Sequence, residues 1–311
     1  MSGPCRSASA PPEDLDQIVI SACRQAGITP VSIRLLRHFA NAVYLIEGRV
    51  PVVARVAYNA GVVQRCRTAV AITRWLVSQG FPATAPIDLP SGCPQPIVDS
   101  EVPAEVAITF WSYYPQPTHG SGPSLEELAR LARALHNMDG LPPIPLPTYE
   151  PLRSMRRDAA NSHLDEDTLS WLWQRIDQLR DDYGQLEFPL GVGLIHGDMY
   201  AGNLLLDQLQ RRFVLGDWDS VCIGPREVDL APTFTAARFG LDKASLGRFA
   251  AEYGYDLRTW SGYSTLRTIR ELSTLTALLR LAPVNAASAT ELRYRISTLQ
   301  ESDSTAIWQA Q

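Results

Sequence analysis

The spacing of apolar positions changes period several times along the chain. Near the start, Leu15, Ile18, Val19 and Ala22 fall at helical spacing and Gly27 follows as a C-cap, which predicts a helix over residues 15–26. Three β-branched, apolar runs follow at residues 32–39, 42–47 and 51–58. The turn at Gly48 and Arg49 is short enough to pair the second with the third antiparallel. Helical spacing returns over residues 62–79, through Val63, Cys66, Val70, Thr73, Trp75 and Leu76, and Gly80 stops it. Residues 105–114, held between Pro103 and Pro115, form a further expected strand. The first third is thus a small lobe of strands with two helices.

A polar stretch rich in Pro and Gly, residues 115–123, reads as a linker. After it, residues 124–138 predict a helix: Ser124 caps it, Glu127 stands at the capping-box position, and Leu125, Leu128, Leu131, Ala132 and Leu135 form its apolar stripe. Further helices are expected at residues 165–183, 241–253, 263–281 and 289–298, interrupted by a β-like segment over 192–217. The fold class that follows is α+β, with a β-rich amino-terminal part and a larger, mainly helical carboxy-terminal part.

Composition narrows the function. The chain has 311 residues, enough for one large domain or two moderate ones. Its formal net charge of -5 disfavours nucleic-acid binding, which is driven by clustered positive charge. Lys243 is the single lysine. Cys5, Cys23, Cys66, Cys93 and Cys222 are odd in number and scattered, without zinc-site spacing, so a reducing, cytoplasmic setting is expected. Residues 1–14 contain no signal-peptide core and read as a disordered tail. No apolar run approaches the roughly 18 to 20 residues of a membrane span, so no membrane partner is expected.

Candidate chemistry collects in the β-like interruption, LIHGDMYAGNLLLDQLQRRFVLGDWDSV. Two apolar runs, residues 204–206 and 212–215, flank a polar turn as a hairpin would, with Asn203 before the first and Asp217 and Asp219 after the second. Folding such a hairpin brings Asn203 and Asp217 to one end. There an amide oxygen and a carboxylate suit Mg²⁺, a hard ion that prefers oxygen ligands and shares them with substrate phosphates. Asp198, a few residues upstream, would face the same spot with a carboxylate left to meet a hydroxyl.

These residues resemble the aminoglycoside phosphotransferase and choline kinase-like family, relatives of the protein kinases. The matching elements are His196-Gly197-Asp198 with Asn203, Asp217-Trp218-Asp219, and the run from Gly224 to Ala231 that contains Asp229. Their order and spacing are similar to H-G-D-x-x-x-x-N, D-x-D and D-L-A. Residues 108–115 look like the hinge between lobes and 131–138 like the helix after it. The resemblance implies a two-lobed protein-kinase-like fold, with a nucleotide-binding lobe at 15–110, a hinge at 111–117 and a catalytic, acceptor-binding lobe at 118–311. It implies transfer of the γ-phosphoryl group of ATP or GTP to a hydroxyl of a small molecule, an antibiotic first and a choline-, sugar- or amino-acid-like metabolite second, in a cytoplasmic monomer or homodimer.

On that resemblance Asp198 orients the acceptor hydroxyl or accepts its proton. A carboxylate near pKa ~3.9 facing a hydroxyl comparable to water at ~15.7 is mismatched by about 12 units, or roughly 16 kcal/mol. Asp198 is therefore expected to act by positioning, with proton transfer late in a loose transition state. Asn203 and Asp217 take the metal role and Asp219 an accessory one, while His196 and Asp229 brace the loop. Arg55 stands where the family has a lysine on the α/β-phosphates, and Asn41 in the phosphate-covering loop. Trp111 and Tyr113 either pack the lobe junction or line the base pocket, and Leu205 joins the nucleotide contacts.

Two departures from the family pattern stand out. Residues 59–79, the helix expected to supply a glutamate to the strand cation, contain no acidic residue, and Ala69 is at the matching position. Arg55 is then left wholly to the phosphates, or catalysis is weakened. The loop at residues 38–41 also lacks glycine. These features keep a second possibility open, a nucleotide-binding scaffold without transfer. Other nucleotide folds are poorly supported: there is no G-x-x-x-x-G-K-[ST], and Gly191-Val192-Gly193 leads into the His-Gly-Asp element rather than into a helix.

Overall fold

A computed structural model describes residues 14–38, 41–58, 61–99, 106–117, 122–140, 142–162 and 164–309. The expected tail at residues 1–14 falls almost wholly outside these, as do Phe39 and Ala40 of the expected phosphate loop. The chain divides into two compact units. The first comprises Met1–Pro123, Asp139–Leu146 and Asn203–Val221; the second comprises Ser124–Met138, Pro147–Gly202 and Cys222–Gln311.

In the first unit, helix α1 (Leu15–Ala26) is capped by the Asp14 carboxylate, which accepts the Gln17 N–H at 3.1 Å. Strands β1 (Ser32–His38), β2 (Ala42–Glu47) and β3 (Val52–Tyr58) are followed by α2 (Val62–Ser78), β4 (Ile97–Asp99) and β5 (Val106–Ser112). The five strands form one antiparallel sheet in the order β1-β2-β3-β5-β4. Strand alternation sorts the side chains to two faces. Val52, Ala54, Val56 and Tyr58 join Ile108 and Phe110 in a core with Ile18, Val19, Ala22 and Cys23 of α1. On the other face, Ala57 and Ala107 pack with Val62 and Cys66 of α2. Arg55 shares the parity of Ala57 and so lies on the α2 face, with Val43 and Thr109 opposite it on the neighbouring strands.

The second unit contains α3 (Leu125–His136), α4 (Met155–Ala160), α5 (Glu166–Gly184) and β6 (Val192–Ile195). The Ser124–Glu127 capping box starts α3 as expected, with the Ser124 hydroxyl accepting the Glu127 N–H at 3.2 Å. The first unit supplies the hairpin β7 (Leu204–Asp207) and β8 (Arg212–Leu215) between β6 and β9. Strand β9 (Cys222–Pro225) pairs with β6, and α6 (Glu227–Thr235), α7 (Lys243–Tyr253), α8 (Tyr263–Ser273), α9 (Leu275–Leu281) and α10 (Ala286–Gln300) complete the second unit. Residues of α4, α5, α8, α9 and α10 share one apolar core that includes Met155, Leu172, Ile176, Ile269, Leu275 and Leu292.

One expectation changes. The single helix over residues 263–281 is two helices, because the Ser273 and Thr274 hydroxyls bond back to the Ile269 and Glu271 carbonyls and compete with the backbone ladder. Asp158 of α4 is buried and paired with Arg280 at 2.8 Å.

Candidate active site

The hairpin end forms as its polar flanks imply. Leu204 pairs with Leu215, and the Gly216 N–H donates to the Asn203 carbonyl at 2.8 Å, so the backbones of Asn203 and Asp217 are held side by side. The first unit anchors this hairpin through its own backbone: Thr84 N–H donates to the Leu215 carbonyl at 2.9 Å, and Leu215 N–H to Pro82 at 2.8 Å. Asp217 adopts φ 60°, ψ 60°, a left-handed conformation rare outside glycine but accessible to aspartate. Trp218 fixes that turn. It is 2 % exposed, donates its indole N–H to the Leu215 carbonyl at 2.8 Å, and meets Phe81 edge-on at 5.9 Å. Asn203 is buried and the Asp217 side chain is 34 % exposed. An amide oxygen and an open carboxylate at one hairpin end fit an oxygen-ligated divalent cation shared with phosphates.

Arg55 reaches this hairpin end. Both of its terminal nitrogens donate to the two carboxylate oxygens of Asp219, and Nη2 lies 3.2 Å from Asp217 Oδ1. Burial opposes the Arg55 charge, but Asp219, and then Asp217, outweigh it and hold the guanidinium more firmly protonated than usual. The expectation that Arg55 lacks a carboxylate partner is therefore corrected. The acid comes from the segment after β8 instead of from α2, and the planar fork of arginine suits the two-oxygen contact. Ala69 is 2 % exposed in the core, where a carboxylate would be buried. Cys66 of α2 is close enough to feel both charges; burial first, and Asp219 second, push its thiol up to about 11.

Of the other expected nucleotide residues, Trp111 is half-buried on the α2 face, its indole N–H donating to the Thr109 hydroxyl at 2.8 Å. Tyr113 and Leu205 are likewise half-buried, and Asn41 is half-buried at the start of β2. All four belong to the first unit, with Arg55, Asn203 and Asp217.

Asp198 belongs to the second unit. Its turn is built on Asp229, whose side chain is fully buried in α6. The two Asp229 oxygens accept the N–H groups of His196 and Gly197, each at 2.7 Å. His136 Nε2 lies 3.1 Å from Asp229 Oδ2, and Nδ1 lies 2.8 Å from the Tyr253 hydroxyl. Gly197 has φ 81°, which a side chain would strain, and this bend places the Asp198 side chain half-exposed. Arg226 closes the support by donating to the His136 carbonyl at 3.0 Å and to the Leu190 carbonyl at 2.7 Å. Its guanidinium crosses so close to Gly193 that a Cβ there would sit 2.9 Å from Nη2. His136 was missed by sequence reasoning, since its partners are 93 and 117 residues away. Arg270 of α8 was missed too: its Nη2 lies 2.8 Å from Asp198 Oδ1.

Residues 32–267 match the model of the phosphotransferase enzyme family, APH. The chain belongs to that family. This phosphotransferase is a small-molecule kinase in class. No curated protein matches it in sequence. Among solved structures it is similar to amicoumacin kinase hAmiN, determined with AMP-PNP, Ca²⁺ and Ami, at 14% identity over 95% of this chain and 96% of that one, TM-score 0.72. A microcompartment-associated aminopropanol kinase is similar at 16% identity over 92% and 98%, TM-score 0.68. Aminoglycoside phosphotransferase APH(3'')-Id from Streptomyces rimosus is similar at 20% identity over 84% and 98%, TM-score 0.57. These likenesses agree in one point, the two-part α+β kinase-like fold.

Proposed function

We propose that this phosphotransferase moves the γ-phosphoryl group of ATP or GTP, as its Mg²⁺ complex, onto a hydroxyl of a small molecule, with Asp198 meeting that hydroxyl. The observation that carries the reading is the Asp229 anchor. Two backbone N–H groups and a histidine on one buried carboxylate fix the bend at Gly197, so the Asp198 carboxylate is held by the fold before any acceptor arrives. Preorganisation of this kind is what a group acting by positioning requires. Asn203 and Asp217 would hold the cation, which would offset phosphate charge during transfer. Arg55, steadied by Asp219, brings its positive charge to the phosphates, with Asn41, Trp111, Tyr113 and Leu205 contacting the nucleotide. Residues 15–110, 111–117 and 118–311 act as nucleotide lobe, hinge and catalytic lobe.

The acceptor class we put first is an antibiotic, which would confer resistance or self-protection, in a cytoplasmic monomer or homodimer. The amicoumacin kinase and the aminoglycoside phosphotransferase act on antibiotics by their names, and this supports the choice. No helix among the described residues is long and apolar enough to cross a membrane. A scaffold without transfer loses its main ground, because Arg55 has a carboxylate partner. The test is transfer of labelled γ-phosphate from ATP and from GTP to a panel of hydroxylated antibiotics and metabolites, with Mg²⁺ and with EDTA. The expected result is a metal-dependent gain of one phosphoryl group by an acceptor. Nucleotide binding without transfer to any acceptor would contradict the proposal.

A further inference from the structure

Helix α8 turns three buried residues, Leu266, Ile269 and Leu272, into the core and leaves Arg267 and Arg270 on other faces. The two arginines differ. Arg267 Nε lies 2.8 Å from Glu271 Oε1, an i,i+4 pair on its own helix, and Glu271 also receives the buried Arg238. Arg270 has no such local partner: among the described residues its one ion pair is with Asp198, Nη2 to Oδ1 at 2.8 Å. The two side chains are 26 % and 37 % exposed, and the contacted oxygen, Asp198 Oδ1, is itself covered from solvent. A guanidinium carries five N–H donors, so a single contact leaves the rest of the fork for a ligand. The Tyr149 ring lies within range of the same charge: burial pushes its phenol up, and Arg270 pulls against that shift.

We propose that Arg270 narrows the acceptor class put first above, binding a carboxylate or similar anionic group near the reactive hydroxyl and disfavouring acceptors whose only charge is positive, aminoglycosides among them. This rests on the reading of Asp198 as the group that meets the hydroxyl. A hydroxyl within hydrogen-bond reach of Asp198 lies a few ångströms from Arg270, because those side chains already touch. An anion on the acceptor then gains a charge-assisted, two-pronged contact, and it draws the guanidinium off Asp198 Oδ1 and leaves that oxygen for the hydroxyl. An ammonium in the same place meets like charge instead. Arg270 is thus a specificity-determining residue that also holds the carboxylate in place until an acceptor replaces it.

Three matched probes test this: L-homoserine, its decarboxylated counterpart 3-amino-1-propanol, and 4-hydroxybutyrate, which keeps the carboxylate and lacks the amine. The parent should show a KM for the two carboxylates at least about tenfold below that for the amino alcohol. In Arg270→Glu the ranking should reverse, and in Arg270→Gln it should flatten. Preference of the parent for 3-amino-1-propanol, or a fall in kcat equal for all three probes with the ranking unchanged, would overturn the selection and leave a purely structural pair. Absence of transfer both to these probes and to every other acceptor would strike at the phosphotransferase reading instead. Calorimetric titration with 4-hydroxybutyrate decides this proposal separately: binding lost in Arg270→Glu supports it, and no binding by the parent overturns it.

Discussion

Two arginine–aspartate pairs, one in each unit, carry opposite designs. Arg55 in the first unit grips both oxygens of Asp219, is 12 % exposed, and is held more firmly charged by its acids. Arg270 in the second unit touches one oxygen of Asp198 and is about twice as open to solvent, at 26 %. A two-oxygen pair of low exposure fixes a side chain in one geometry; a guanidinium held by one contact and partly exposed is one that a ligand can draw away. On the roles proposed here, the same two residue types would serve preorganisation at the nucleotide end and exchange at the acceptor end.

The comparison breaks most visibly at Asp198. Asp198→Asn keeps the shape and removes the charge, and should lower phosphoryl transfer by about 10²- to 10⁴-fold, the usual contribution of a positioned acid–base group. Single-turnover transfer measures it, and a rate near the parent's would remove Asp198 from the chemistry. Arg55→Ala comes next. Loss of charge-assisted contacts worth roughly 1.5 to 3 kcal/mol should weaken nucleotide affinity about tenfold to a hundredfold. Arg55→Lys should be intermediate, since a point charge cannot span two Asp219 oxygens. Nucleotide KM equal to the parent's in Arg55→Ala would make Arg55 a structural strand residue. The smallest effect sharpens the contrast: Asp219→Ala removes the two-oxygen anchor of Arg55, and should raise nucleotide KM about three- to tenfold at little change in the transfer step. A fall in the transfer step without a change in KM would assign Asp219 a different task.

The sequence made the hairpin and its cargo legible because both are local. Two apolar runs, a polar turn and flanking acids within residues 203–219 specify which ends meet, and the ladder from Leu204 to Leu215 follows. The helix cap at Ser124 is legible for the same reason. What was hidden depends on long-range packing. Asp219 finds Arg55 across 164 positions, and His136 finds Asp229 across 93. A missing acid was sought on α2, where the family keeps it, whereas the fold brings one from β8's far end to the same sheet face. Arg270 carried no motif at all, being one arginine among many in a chain with a single lysine. The short strands β4 and β9 were missed too, since neither pairs with a neighbour across a short polar turn of the kind that marks β7 and β8.

The central claim is that the first unit holds the nucleotide and Asp198 of the second serves only the acceptor. It is tested most directly by calorimetric titration of Mg²⁺-AMP-PNP into the parent, Asp198→Asn and Arg55→Ala, side by side. The account predicts an unchanged dissociation constant for Asp198→Asn and a value weakened about tenfold or more for Arg55→Ala. Nucleotide binding lost in Asp198→Asn, or retained in full by Arg55→Ala, would contradict it.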